Sequence, residues 1–67
     1  MESLLCINTG GPGDLHGQRA RRLTAGLDAE RVFFDLDKSK SRLANARAIW
    51  DLLAPRHWDV VYQAGTG

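Results

Sequence analysis

Leu4-Leu5-Cys6-Ile7-Asn8-Thr9-Gly10-Gly11-Pro12-Gly13-Asp14-Leu15-His16-Gly17 is the stretch whose reading decides the fold. The apolar run fits a strand, the glycine cluster fits a turn, and the pattern from Leu15 onward is helical. Glycine alone enters positive φ freely and lets a ligand approach bare backbone. A glycine turn between strand and helix therefore suits an anion resting on a helix N-terminus. Gly10, Gly11 and Gly13 are the first candidate binding residues.

Working outward, the apolar period changes from strand-like to helix-like and back along the chain. Leu4 to Asn8 reads as the first strand. Leu15, Ala20, Leu23 and Leu27 predict an amphipathic helix over about residues 15–27. Arg31 to Leu36, with Val32, Phe33 and Phe34, reads as the second strand. Ser39 or Ser41 can cap a second helix whose face is marked by Leu43, Ala46, Trp50 and Leu53, and Pro55 ends it. Trp58 to Gln63 reads as the third strand, followed by the loop Ala64-Gly65-Thr66-Gly67. The fold class expected is α/β: a three-stranded parallel Rossmann-like half, β-α-β-α-β, belonging to a larger doubly wound domain.

Two right-handed crossovers running in the same direction place both helices on one face of the sheet and leave the other bare. Three to five uncovered side chains there leave roughly 5 to 15 kcal/mol of burial unrealised, the size of a whole domain's stability. The expectation is that residues 1–67 form a partial domain of a longer protein, or self-associate through the uncovered sheet face.

Nine Lys and Arg against eight Asp and Glu give no basic field of the kind nucleic acid requires. Cys6 is the single cysteine, so no internal disulfide forms, and it reads as a small core thiol. His16 and His57 are too far apart in sequence for a zinc-ligand spacing, so no metal is expected. No segment approaches the apolar length of a membrane span, and no secretion signal opens the chain, which points to a cytoplasmic protein. Arg19, Arg21 and Arg22 read as a solvated helix face, or as a contact for phosphate or for a peripheral membrane surface.

Gly11 to Gly17 spells G-x-G-x-x-x-G, one residue longer than the dinucleotide fingerprint. Asp35 and Asp37 stand where an acidic residue would meet an adenine ribose, or simply end a strand. No Gly-Lys-Ser or Gly-Lys-Thr follows, which excludes a P-loop, and Pro12 removes one N–H from the turn. His16 could bind a phosphate or a sugar hydroxyl, or close the turn, and Asp14 reads as the N-cap of the first helix. Gln63 and Thr66 lie at the carboxyl end of the third strand, where ligands of open α/β sheets bind, and would form a second wall of the same cleft.

The string from Asn8 to Gly17, then Arg19-Ala20-Arg21-Arg22-Leu23, and later Ile49-Trp50 and Trp58 to Gly67, resembles the amino-terminal end of a GT-B glycosyltransferase of the retaining, nucleotide-sugar-dependent family 4. The resemblance implies two Rossmann-like domains facing across a cleft, of which this chain is the acceptor-side part and the carboxyl-terminal donor domain is absent. It implies that Gly10, Gly11 and Gly13, with His16 nearby, lie beside the donor diphosphate and the acceptor. Many members carry a histidine after a later strand of this domain, where this chain has Gln63. A transferase of this kind needs no cofactor beyond its nucleotide-sugar substrate, and no catalytic side chain is assigned here. The piece alone is expected to be inactive. The competing readings are an NAD(P)- or FAD-binding Rossmann domain of an oxidoreductase and a non-catalytic interaction module.

Overall fold

The computed structural model describes residues 2–65. In chain order it contains β1 (Glu2–Asn8), α1 (Leu15–Leu23), β2 (Ala29–Asp35), α2 (Arg42–Leu53) and β3 (Val60–Ala64). The three strands form one parallel sheet in the order β2-β1-β3. Cys6 stands level with Phe33 on one side and Tyr62 on the other. This is the expected α/β, Rossmann-like β-α-β-α-β half.

The direction of the second crossover differs from expectation. From β1 to β2 the chain steps one way; from β2 to β3 it steps back across β1. Right-handed connections in opposite directions place the two helices on opposite faces of the sheet. Burial agrees, because Leu5 and Cys6 point to opposite faces and are only 0% and 1% exposed. The uncovered sheet face is therefore corrected: β1 is sandwiched on both sides. What stays open is β3, an edge strand whose Val61 and Tyr62 are each 51% exposed. The accessible surface is 4847 Å², against about 4,200 Å² for a compact monomer of this size.

Small residues set the seat of α1. Gly17 and Ala20 are its buried positions, and Ala20 packs against Cys6, Ala64 and Phe33. A Cβ on Gly17 would collide with the Asn8 amide, so the helix backbone lies close against β1. That stripe points almost directly away from Leu15, which is 75% exposed together with Leu23 at 76%. The leucine face expected for this helix is thus wrong: only Ala20 of that set is buried. The helix also ends at Leu23 rather than near Leu27, with Thr24 as C-cap. Arg31 of β2 secures that end by donating to the Arg21 carbonyl at 3.3 Å and to Thr24 Oγ1 at 3.2 Å, a cation where the helix dipole favours one.

Of the two candidate caps for α2, Ser41 is used, its Oγ accepting from the Ala44 N–H at 3.1 Å. Ser39 instead donates from N and Oγ to Asp37 Oδ1. The inner face of α2 carries buried Asn45 and half-buried Ile49, Leu52 and Leu53, while Leu43 and Trp50 face outward. Asn45 earns its burial by bonding the loop before the helix: its Oδ1 accepts from Asp37 N at 3.0 Å and its Nδ2 donates to the Asp37 carbonyl at 2.9 Å. Trp58 lies just before β3, its indole N–H donating to the Leu52 carbonyl at 2.9 Å.

Candidate functional site

At the carboxyl edge of the sheet the chain turns around Asn8, the last residue of β1 and only 2% exposed. Its Nδ2 donates to the Gly11 carbonyl at 2.8 Å and to Asp35 Oδ1 at 3.0 Å, and its Oδ1 accepts the Gly10 N–H at 3.2 Å. The Asn8 carbonyl accepts from Leu36 N at 3.0 Å and Gly11 N at 3.4 Å. One buried side chain therefore ties the glycine loop to the end of β2. Asp35 is held on its other oxygen by Arg21 at 3.3 Å, and Arg21 also stacks over Phe33 at 4.8 Å.

This arrangement changes what the loop can offer a ligand. The N–H groups of Gly10 and Gly11 are committed inside the turn, and Pro12 has none. Asp14 N donates to the Gly11 carbonyl at 3.3 Å, and His16 N donates to Asp14 Oδ2 at 3.0 Å, which makes Asp14 the N-cap expected. The exposed amides of Gly13 and Leu15 have no partner among the described residues. The Asp14 carboxylate lies against Gly10, where any Cβ would collide with it. A negative charge already seated on the helix N-terminus opposes a second anion there and accepts hydrogen bonds from hydroxyl groups instead.

The loop is also clamped to β3. Thr9 donates to the Ala64 carbonyl twice, from N at 3.0 Å and from Oγ1 at 3.2 Å. Gly65 follows at φ +110°, and a Cβ there would stand 2.6 Å from Thr9 Oγ1, so the close approach needs glycine on both counts. In the order β2-β1-β3 the chain leaving β1 crosses to β2 on one side while β3 pairs with β1 on the other, and such a reversal of strand order, a topological switch point, is where open α/β sheets bind ligands.

Gly10, Gly11, Gly13 and Gly65 are thus brought together, but two other expected residues are not. His16 is exposed on the outer surface of α1, beside a concavity of about 450 Å³ shared with Leu15, Arg19, Arg22 and Leu23. Gln63 is level with Ile7 and so points to the face opposite Asn8 and Ala64. Thr66 lies outside the described residues. Asp35 and Asp37, the ribose candidates of the dinucleotide reading, are both engaged internally. Ser39 holds the Asp37 carboxyl below its ordinary range by donating from its hydroxyl and its N–H. Burial pushes the Cys6 thiol up, as an inert core thiol requires.

Asn8 is the residue that organises the glycine loop, a role not expected from the sequence. Its signal was a polar side chain closing an apolar strand at the same alternation as Cys6, hence pointing inward. Among the described residues no cluster of three metal-ligating side chains occurs, and no helix is long and apolar enough to cross a membrane. No family model, curated protein or solved structure matches this chain.

Proposed function

We propose that this chain is the acceptor-side β-α-β-α-β portion of a cytoplasmic, nucleotide-sugar-dependent GT-B glycosyltransferase. The supporting observation is the meeting of the β1–α1 glycine loop with the end of β3, where Thr9 bonds Ala64 at the switch point of the sheet. Asp14 and the exposed amides of Gly13 and Leu15 offer one acceptor and two donors to hydroxyl groups, which suits a sugar or an acceptor alcohol better than a bare diphosphate. The role of such a surface is to position an acceptor hydroxyl, with the donor's departing charge stabilised elsewhere. Exposed β3 residues and the surplus of accessible surface support a chain normally covered by further protein.

The dinucleotide alternative, which rests on the Gly11 to Gly17 pattern and on Asp35, is weakened at its carboxylate. Its ribose carboxylate is bonded to Asn8 and Arg21. The test is a residue-resolved NMR titration of the chain with UDP-glucose, GDP-mannose and NADPH. A nucleotide sugar should move the amides of Gly13, Leu15 and Gly65 through its sugar hydroxyls, and NADPH, which carries no such hexose, should leave them in place. Movement of those amides by NADPH and by neither sugar nucleotide would overturn the reading.

A further inference from the structure

A second place on the same sheet edge carries cations without partners. Lys38, Lys40 and Arg42 follow β2 and open α2, and none of them forms an ion pair among the described residues. Together with Leu36, Asn45, Ala46 and Ile49 they line a concavity of about 360 Å³. Leu36 and Ile49 are its half-buried aliphatic residues, and Lys38, Lys40, Arg42 and Ala46 are exposed. Asp37 is the nearby carboxylate, and it is turned onto Ser39 through two hydrogen bonds. Gly11 brings this place next to the glycine loop: a Cβ there would stand 3.2 Å from the Leu36 carbonyl oxygen and 3.8 Å from Lys38 Cε. The Lys38 stem therefore runs along the loop backbone.

We propose that this concavity binds a nucleoside phosphate, with the base against Leu36, Ala46 and Ile49 and the phosphate on Lys38, Lys40 and Arg42. The volume falls within the range of small-ligand sites, and an apolar lining with a few converging polar groups is their usual composition. Three side-chain cations supply what the glycine loop lacks, since two of its amides are committed and a carboxylate occupies its helix terminus. Inorganic phosphate would meet only the cations; a nucleoside alone would meet only the aliphatic residues. The ligand must carry both parts. This inference stands apart from the glycosyltransferase reading, because it concerns residues 36–49 and not the switch point.

The experiment is a titration of the chain with UMP, uridine and inorganic phosphate, followed by NMR at the backbone amides. UMP should move amides within residues 36–49 saturably and bind at least fivefold more tightly than phosphate, while uridine alone should not saturate. Lys38→Gln and Arg42→Gln should each weaken UMP binding three- to tenfold, and Arg19→Gln on the outer face of α1 should leave it unchanged. Equal affinity for UMP and phosphate, shifts gathered on the α1 arginines, or an unaltered affinity in both the Lys38 and Arg42 variants would overturn the proposal. Shifts confined to Gly13, Leu15 and Gly65 would overturn it while leaving the reading of the switch point intact.

Discussion

Replacing Asn8 by alanine should destabilise the chain far more than an average substitution, because one buried amide makes three bonds that nothing else can make. Its Nδ2 serves the Gly11 carbonyl and the Asp35 carboxylate, and its Oδ1 serves the Gly10 N–H. A neutral bond contributes about 1 kcal/mol and one to a charged group about 1.5–3 kcal/mol. Water entering the vacated space recovers part of that, which leaves a loss of about 2–4 kcal/mol. Set against roughly 3–10 kcal/mol for a whole domain of this length, the loss is large. Urea unfolding followed by circular dichroism should show the midpoint falling by roughly 2 M or more, at a slope near 1 kcal/mol per molar. Asn8→Asp keeps the shape but sets a second carboxylate 3.0 Å from Asp35 Oδ1, and it should cost more than Asn8→Ala at pH 7. Like-charge contact raises the new carboxyl's folded pKa above its unfolded value. Stability is then greatest below the unfolded value and is lost as pH rises through the folded one, so this variant should recover relative to the parent on acidification. A change within about 0.5 kcal/mol for Asn8→Ala, the level of an ordinary surface substitution, would refute the reasoning.

Four further outcomes follow from the same geometry. Gly17→Ala should destabilise the chain by up to about 2 kcal/mol in the same assay, since collision with the Asn8 amide costs about 1–3 kcal/mol of overpacking and glycine to alanine inside a helix ordinarily gains about 1 kcal/mol; a gain in stability would contradict the close approach of α1 to β1. Leu15→Gln should change stability by less than about 0.5 kcal/mol because that side chain is largely in water, whereas Leu5→Ala, fully buried, should cost about 2–5 kcal/mol in the same assay. The Asp59 carboxyl is held below its ordinary value of 3.8, first by the Ser3 N–H, and Glu30 below 4.5, first by Arg56. Folded pKa values that are depressed mean that stability is complete above the ordinary values and lost as pH falls through the lowered ones, so thermal unfolding should be steady above about pH 5 and shift downward below about pH 4. Asp59→Asn should flatten that acid limb, and an unchanged limb would count against the Ser3 contact.

Much of the fold was legible because strands and helices differ in the spacing of their apolar residues. The runs around Leu5, Phe33 and Val61 are too short and too continuous for helices, and Ser41 and Pro55 bracket α2. The helix faces were less legible. Leu15, Leu23, Leu43 and Trp50 satisfy a helical apolar count, yet Gly17 and Ala20 on α1 and Asn45 on α2 occupy the inner positions. Close backbone approach and a buried amide network won over side-chain hydrophobicity, and neither leaves a periodic trace. Strand order was equally hidden, since β-α-β-α-β connectivity is compatible with β3 on either side of the sheet. The glycine loop was visible as a feature, but its chemistry depended on Asn8 and Asp14 taking the amides that the glycines seemed to leave open.

The position of the cleft depends on β1 lying between its two partners, and interstrand nuclear Overhauser contacts test that arrangement directly. Leu5 should show parallel-sheet backbone contacts to both Val32 and Val61, with none between Val32 and Val61. Contacts joining Val32 to Val61, with Val61 remote from Leu5, would place β3 outside β2 and remove the β1/β3 switch point on which the proposed function stands.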